Sequence, residues 1–287
     1  MTTAIATINK EGSVIASLDI PSIQAIAWQI IYALGNSNLS SNDLERIITM
    51  DQGVTARLLK VANSASFSRG CEISEVDDAI MRVGFETVRS SVIMASFQSL
   101  RFPKCQIDAL LWEHSLSVGV AAPIIKRNLD MPNPSDILIP ALLHDIGKSI
   151  LNRNAQEEYK QVVEQVNQGE DFVSAELKFF SVSHIEVGVH AVKQWRLPEN
   201  IATLIALHHC ENVMEHRDAD TRKNLLVLRL ANSICSRLGL GLGYPASERE
   251  TEFLTLLGVK DTTEWINDTE EDIKKAFSQY SEFANAN

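Results

Sequence analysis

Basic residues are in short supply. Against 37 acidic residues stand 26 lysines and arginines, so the 287-residue chain carries a net charge of −11. Nothing offers a basic stripe to neutralise phosphates, which argues against a general nucleic-acid binder. A small anionic ligand held in a local pocket stays compatible with this balance. Cysteine is scarce too. Cys71, Cys105, Cys210 and Cys235 each stand alone, and without a CxxC pair neither a zinc finger nor a thioredoxin-like site is expected. Lone thiols fit a reduced, cytosolic protein. The N-terminal stretch MTTAIATINKEGSVIA lacks the basic-then-apolar order of a signal peptide. No apolar run reaches the roughly 20 residues that span a bilayer, so no membrane partner is expected. Repeats and low-complexity tracts are absent from the sequence, and the period-two alternation of strands is nearly so.

Helical periodicity is what the chain does have. Hydrophobic residues make up 45% of it, a globular composition with enough length for one large or two modest cores. Apolar residues recur at three and four, separated by short polar punctuation. Pro21 reads as the first turn of a helix to about Leu34, broken by Gly35-Asn36-Ser37-Asn38. Ser40 or Ser41 caps the next, with Glu45 in its first turns, ending near Asp51. Further helices are expected over Thr55–Ser64, Val76–Val83 and Glu86–Leu100, with a loop at Ser66–Ser74 and a hinge at Gly84. In the second half the pattern gives Asp108–Leu129, Ser135–Leu151, Ala155–Gln168, Val173–Phe179, His184–Trp195, Pro198–His208 and Arg222–Leu238. Gly239–Pro245 is a glycine-rich loop, and Glu248–Leu256 and Glu264–Phe283 close the chain. The expected class is all-α, with two packed helical subdomains. Phe102-Pro103-Lys104 marks the boundary between them. It divides a tail (1–14) and a first subdomain (15–103) from a second (104–240) and a C-terminal helical extension (241–287).

Chemistry concentrates in the second half. The stretch IPALLHDIGKSIL, Ile139–Leu151, read as one helix, puts Ile139, Leu142, Leu143, Ile146 and Ile150 on a packing stripe. His144, Asp145 and Lys148 then share the opposite arc, which is either an ordinary solvated face or the start of a site. All seven histidines lie after residue 104. His114 lies about 60° from the centre of the stripe Leu111, Val118, Ala122, Ile125 and Leu129, so it points inward and needs a carbonyl, carboxylate or metal partner. His184 opens a helix in which Gly188 allows close packing. His208-His209 ends another. His190 faces elsewhere, and His216 belongs to a polar, solvated loop. Separate helices thus bring His114, His144 with Asp145, His184 and His208 toward one region. Imidazole nitrogen with carboxylate oxygen suits borderline divalent metals such as Fe, Mn, Zn or Ni.

This arrangement resembles the HD superfamily of metal-dependent phosphohydrolases, whose pattern is a histidine, a His-Asp doublet and a late aspartate. His114, His144 and Asp145 match the first three. His184, His208 and His209 are similar to the extra ligands of HD-GYP phosphodiesterases, in which Lys148 has a counterpart as well. The late aspartate falls within LLVLRLANSICSRLG, where the polar residue is Asn232, a neutral and weaker ligand. Gly243-Tyr244-Pro245 lies too far from the histidine pair to be the HD-GYP signature. A closer resemblance is to the HDOD family. It rests on Ile20-Pro21, on DQGVTARLLKVANSA (Asp51–Ala65), on Ala79-Ile80 with Gly84, and on HDIGK (His144–Lys148). That resemblance implies an all-α output module of bacterial signalling, generally non-catalytic, with a signalling protein as partner and an HD-like pocket for a metal, nucleotide or phosphate. The alternative it implies is a metal-dependent phosphohydrolase acting on phosphodiesters or cyclic dinucleotides, with Lys148 stabilising developing charge. Asn63, by its own chemistry, reads as a helix C-cap and turn; a tie between the two halves is the functional alternative.

Overall fold

The computed structural model describes residues 13–23, 40–64, 67, 70–97, 100, 105–210, 212–213, 218–243 and 249–285. Among them every regular element is helical. In order these are α1 (Ser13–Ala16), α2 (Ser41–Thr49), α3 (Gln52–Ala62), α4 (Val76–Val83), α5 (Phe85–Ser96), α6 (Gln106–Asn128), α7 (Leu138–Leu143), α8 (Ile146–Asn154), α9 (Gln156–Asn167), α10 (Phe172–Phe180), α11 (His184–Gln194), α12 (Glu199–Leu207), α13 (Ala219–Arg237), α14 (Glu250–Leu256) and α15 (Thr262–Asn285). A 3-10 turn over Pro134–Ile137 leads into α7. None of the described helices is long and apolar enough to cross a membrane. Pro21–Ile23, expected to open a helix, are not helical; the rest of that helix to Leu34, its break at Gly35–Asn38, the Phe102–Lys104 boundary, part of the Ser66–Ser74 loop, Glu211, His216 and Tyr244-Pro245 lie outside the described residues.

Local chemistry sets the element ends. Ser40, one of the two expected caps, caps α2, and Asp43 closes a capping box with it. Ser40 Oγ accepts the Asp43 N–H at 3.2 Å, and the Asp43 carboxylate accepts the Ser40 N–H at 3.1 Å. Such a cap contributes about 1 kcal/mol. Asp51 caps α3 by accepting the Val54 N–H at 3.0 Å, so α3 starts three residues before Thr55. Gly84, at φ 99°, both ends α4 and opens α5; glycine adopts that conformation at no steric cost. Asn63 is the C-cap of α3. Its amide donates to the carbonyls of Leu59 and Ile73 at 2.9 and 2.8 Å, and its Oδ1 accepts the Ile73 N–H at 2.8 Å. It therefore fastens the loop inside the first half.

The first-half core is built from stripes at helical spacing: Leu44 and Ile48 on α2, Val54, Leu58 and Val61 on α3, Ala79, Ile80 and Val83 on α4. Each fully buried aliphatic side chain contributes about 1.5–3 kcal/mol of transfer free energy. In the second half the long α6 runs through the centre and packs against α7, α8 and α13. α8 and α11 approach closely because Gly147 faces the start of α11, where an added Cβ would meet the His184 carbonyl oxygen at 1.9 Å. The last helix, α15, packs on α6 and also on α3 and α5. It joins the two halves.

Candidate metal centre

The expected single helix over Ser135–Leu151 is two helices. α7 ends at Leu143 with His144 as its C-cap, and Asp145, at φ −107° and ψ 13°, stands before α8. The break corrects the picture of one packed and one solvated face. His144, Asp145 and Lys148 are 0%, 2% and 0% exposed. Breaking the helix also removes the 100° divergence between neighbouring side chains, and His144 Nε2 lies 3.3 Å from Asp145 Oδ2.

Around Asp145 the other histidines close in. His114 Nε2 is 3.8 Å from its Oδ2. His184 Nε2 and His208 Nε2 are 3.4 and 3.5 Å from its Oδ1. His209 Nε2 lies 3.2 Å from His184 Nε2. Two donor sets result, each spanning no more than 4.8 Å between ligand atoms. One comprises His114, His144 and Asp145, and the other Asp145, His184, His208 and His209. Asp145 belongs to both. Asn232 is at the same place, with its Oδ1 2.8 Å from His114 Nε2. The structure therefore brings together His114, His144, Asp145, Lys148, His184, His208, His209 and Asn232. His190 is exposed on α11, away from the cluster.

Backbone carbonyls fix which nitrogen of each ring faces the centre. His144 Nδ1 donates to the Ala141 oxygen at 2.8 Å, and His208 Nδ1 to the Ile205 oxygen at 2.6 Å. A carbonyl only accepts, so the proton sits on Nδ1 and the Nε2 lone pair is left for the centre. Those two Nε2 atoms and Asp145 Oδ1 are buried without a hydrogen-bond partner. His114 Nδ1 lies 3.2 Å from the Leu240 oxygen and its Nε2 2.8 Å from Asn232 Oδ1, so an acceptor faces each ring nitrogen and either can carry the proton.

Two residues that the sequence reading missed hold the cluster in place. Glu176, fully buried on α10, accepts from the His184 ring Nδ1 at 2.6 Å and from the His184 backbone N–H at 2.7 Å. Tyr159 donates to its other oxygen at 3.1 Å. This is the carboxylate–histidine arrangement that orients a metal-bound imidazole. Phe172, at the start of the same helix, packs its ring 4.0 Å from Lys148 Nζ. Lys148 Nζ donates to Asp145 Oδ2 at 2.6 Å. It neutralises that carboxylate rather than pointing at open space. A strap past α13 completes the wall. The Leu242 N–H donates to the Leu110 oxygen at 2.9 Å. A Cβ on Gly243 would meet Ser236 Oγ at 2.3 Å and His114 Cε1 at 2.7 Å.

Burial favours the neutral form of His114, His208 and His209. Burial is the first cause, and the neighbouring His144 the second, of a His114 pKa lowered to about 4. Burial likewise lowers His208 to about 4, with Asp145 pulling the other way. Burial and the adjacent His208 and His184 hold His209 far below the usual histidine range. Burial alone would raise Asp145, but His144 and Lys148 overcome it and keep the carboxyl well below its ordinary value. Neutral imidazole lone pairs and an ionised carboxylate are the protonation states that ligate metals.

An HDOD domain model matches residues 20–211 of the chain. A curated protein of Treponema pallidum (strain Nichols), uncharacterised, is 24% identical over 193 residues, covering 67% of this chain and 38% of that protein. The chain thus spans less than two fifths of that relative's length. Among solved structures, an HDOD domain protein of unknown function from Geobacter sulfurreducens aligns with a TM-score of 0.70 at 25% identity, covering 95% of both chains. A candidate signal transduction protein from Marinobacter aquaeolei VT8 aligns with a TM-score of 0.77 at 17% identity, covering 98% of this chain and 64% of that one. The latter likeness is one of fold.

Proposed function

Because this chain belongs to the HDOD domain family, we propose that it is a regulatory module of bacterial signal transduction whose buried histidine–aspartate cradle holds a divalent metal. One observation carries this reading: His144 Nε2, His208 Nε2 and Asp145 Oδ1 are buried acceptors aimed at one space with nothing donating to them. A buried polar atom without a partner costs about 1–3 kcal/mol. Three converging acceptors are satisfied together by a cation, and by no hydrophobic repacking. Asn232 Oδ1, 2.8 Å from His114 Nε2, lies within reach of the same space. His114, His144, Asp145, His184, His208, His209 and Asn232 would supply the donors. Imidazole with oxygen suits Fe, Mn, Zn or Ni. The chain's own residues do the positioning. Glu176 and the Ala141 and Ile205 carbonyls set the rings, and Lys148 balances Asp145.

One charged carboxylate among the ligands favours a single ion over two, since a second would leave excess positive charge in a dry site. The module's output would be read by a signalling protein partner, with a nucleotide or phosphate as the small-molecule ligand. Metal analysis of the protein purified without a metal-affinity step tests this. About one equivalent of Fe, Mn, Zn or Ni per chain is expected, lost in His144→Ala. A metal-free protein that takes up none from solution would end the reading.

The second reading is a metal-dependent phosphohydrolase. It is favoured by the two overlapping donor sets that share Asp145, a geometry able to hold two ions. A bound metal would supply Lewis acidity and an activated water there. Hydrolysis of generic phosphodiesters and cyclic dinucleotides with added Mn or Fe separates the two readings.

A further inference from the structure

On the side of the molecule where α15 meets both halves lies a cleft of about 780 Å³. Its walls come from α5, α6, α15, the turn before α7 and the start of α12. It shares helices with the histidine–aspartate pocket but none of that pocket's ligand residues. We propose that this cleft binds a small anionic ligand with an apolar or heterocyclic body, the chemistry of a mononucleotide.

Charge is the first argument. The whole chain carries an excess of acid, yet three cations, Arg89, Arg127 and Lys275, line this one cleft. Three acids line it as well, and each is engaged. Glu86 accepts from Ser135 Oγ and lies 3.6 Å from Arg89. Asp136 is paired with the buried Lys126 at 2.6 Å. Asp272 accepts from the Asn128 amide at 3.1 Å. Arg127 and Lys275 form no ion pair with an acid among the described residues. Both are exposed, on α6 and α15 respectively, so they stand at the mouth. Arg89, with a side chain only 11% exposed, stands deeper. An anion at the mouth therefore meets two cations, Arg127 and Lys275, that no acid among the described residues pairs, with Asp272, held by a neutral amide, as the one acid whose charge no cation balances.

Shape is the second argument. Ile93, Ile124 and Ile139 are buried aliphatic residues that line the same space. Pro123, Pro134 and Pro198 give it rigid walls. Ligand sites of about 300–1,000 Å³ with mostly apolar walls and a few placed polar groups are the usual form of small-molecule pockets, and they favour the junctions between packed units. Inorganic phosphate would use the cations and leave the apolar wall wet. A phosphate carrying a flat organic body uses both.

Direct titration tests the proposal with four probes on the full chain: inorganic pyrophosphate, AMP, GMP and cyclic di-GMP. At least one nucleotide is expected to bind, and at least tenfold more tightly than pyrophosphate. Arg127→Ala combined with Lys275→Ala should weaken it by about tenfold or more, the loss of roughly 1.4 kcal/mol or more of charge-assisted contact. Both residues are exposed, so the fold is expected to survive, and circular dichroism checks it. Arg127→Lys with Lys275→Arg should keep most of the affinity. Nucleotide affinity should be the same before and after dialysis against chelator, which separates this cleft from the histidine–aspartate pocket. No binding of any nucleotide at millimolar concentration overturns the proposal. So does equal binding of pyrophosphate, or full affinity in the double alanine variant.

Discussion

Asn232 is where the cradle differs in charge from the HD pattern, and replacing it with aspartate should strengthen metal retention. Its side chain is at the site, with Oδ1 2.8 Å from His114 Nε2. The wild-type centre offers one ligating carboxylate, Asp145, already paired with Lys148 at 2.6 Å. Asn232→Asp adds one negative charge. Against a divalent ion at about 4 Å, with an effective dielectric near 20, each unit of charge product is worth about 4 kcal/mol, or about 8 in all. Several kcal/mol of that are lost to desolvation of the new carboxylate. More is lost because the amide oxygen already contributes about 1.5–3 kcal/mol to a cation as a neutral donor. The net expectation is about 2 kcal/mol, roughly thirtyfold tighter binding. The assay is metal stoichiometry of wild type and variant after identical chelator dialysis, with melting temperatures read in chelator and in saturating metal. In chelator the variant should melt lower than wild type, because the added negative charge joins a site that already holds Asp145 with no cation to balance it. In metal the order should reverse. Equal retention, or a variant as stable as wild type in chelator, would refute the charge reasoning. Two tightly held ions in the wild-type protein would refute it too, and would revive the phosphohydrolase.

Further outcomes follow from the same contacts. Asp145→Ala leaves Lys148 buried against Phe172 without its carboxylate, and should cost about 3–5 kcal/mol in urea unfolding of the metal-free protein; Asp145→Ala with Lys148→Met should recover much of that, and a double variant no more stable than the single one would show that the pair is not coupled. Glu176→Gln should weaken metal binding about 10–100-fold by releasing His184, while unchanged affinity would show that Glu176 only fills space. Gly147→Ala, whose new Cβ would lie 1.9 Å from the His184 oxygen, should unfold the chain or separate α8 from α11, seen as lost helicity or a melting point lowered by tens of degrees. The metal-free protein should also lose stability as pH falls from about 6.5 to about 4. His114 and His208 have folded pKa values near 4, below the unfolded value of about 6.5, so the unfolded state takes up protons first and gains about 3 kcal/mol per histidine across that window. A flat stability profile between those pH values in chelator would contradict this.

Much of the fold was legible because amphipathic periodicity records which face is buried. α4, α6, α9, α10, α11 and α12 fall within two residues of the spans read from the pattern. The same logic found His114, which is fully buried, from its angle to the apolar stripe of α6. It failed at Ile139–Leu151 for a physical reason. Periodicity reports burial on one side of a continuous helix, and this segment is buried on every side and broken at Asp145. With both faces dry, the polar arc, which periodicity leaves open between a solvated face and the start of a site, is buried within the histidine cluster. Nothing in the pattern distinguishes a helix of thirteen residues from two short ones that meet at His144-Asp145.

The supporting residues were legible only in part. Glu176 left a signal: in FVSAELKFF it shares the buried face with Phe172, Ala175 and Phe180, and a carboxylate in an apolar stripe requires a buried partner. That partner, His184, is eight residues on, and the chain must turn at Ser181, in left-handed conformation at φ 59°, for the two to meet. The carbonyls of Ala141, Ile205 and Leu240 left no signal, because every residue has one and only the fold decides which is aimed at an imidazole. Yet these carbonyls are what make the cluster an acceptor site. By holding the Nδ1 protons they turn the lone pairs of His144 and His208 inward. The metal reading rests less on the count of histidines, which the sequence displays, than on their tautomers, which the backbone imposes. A cluster of the same residues with Nδ1 facing the centre would leave the carbonyls unsatisfied and the proton on the wrong nitrogen. The backbone therefore holds His144 and His208 in the form that could ligate an ion.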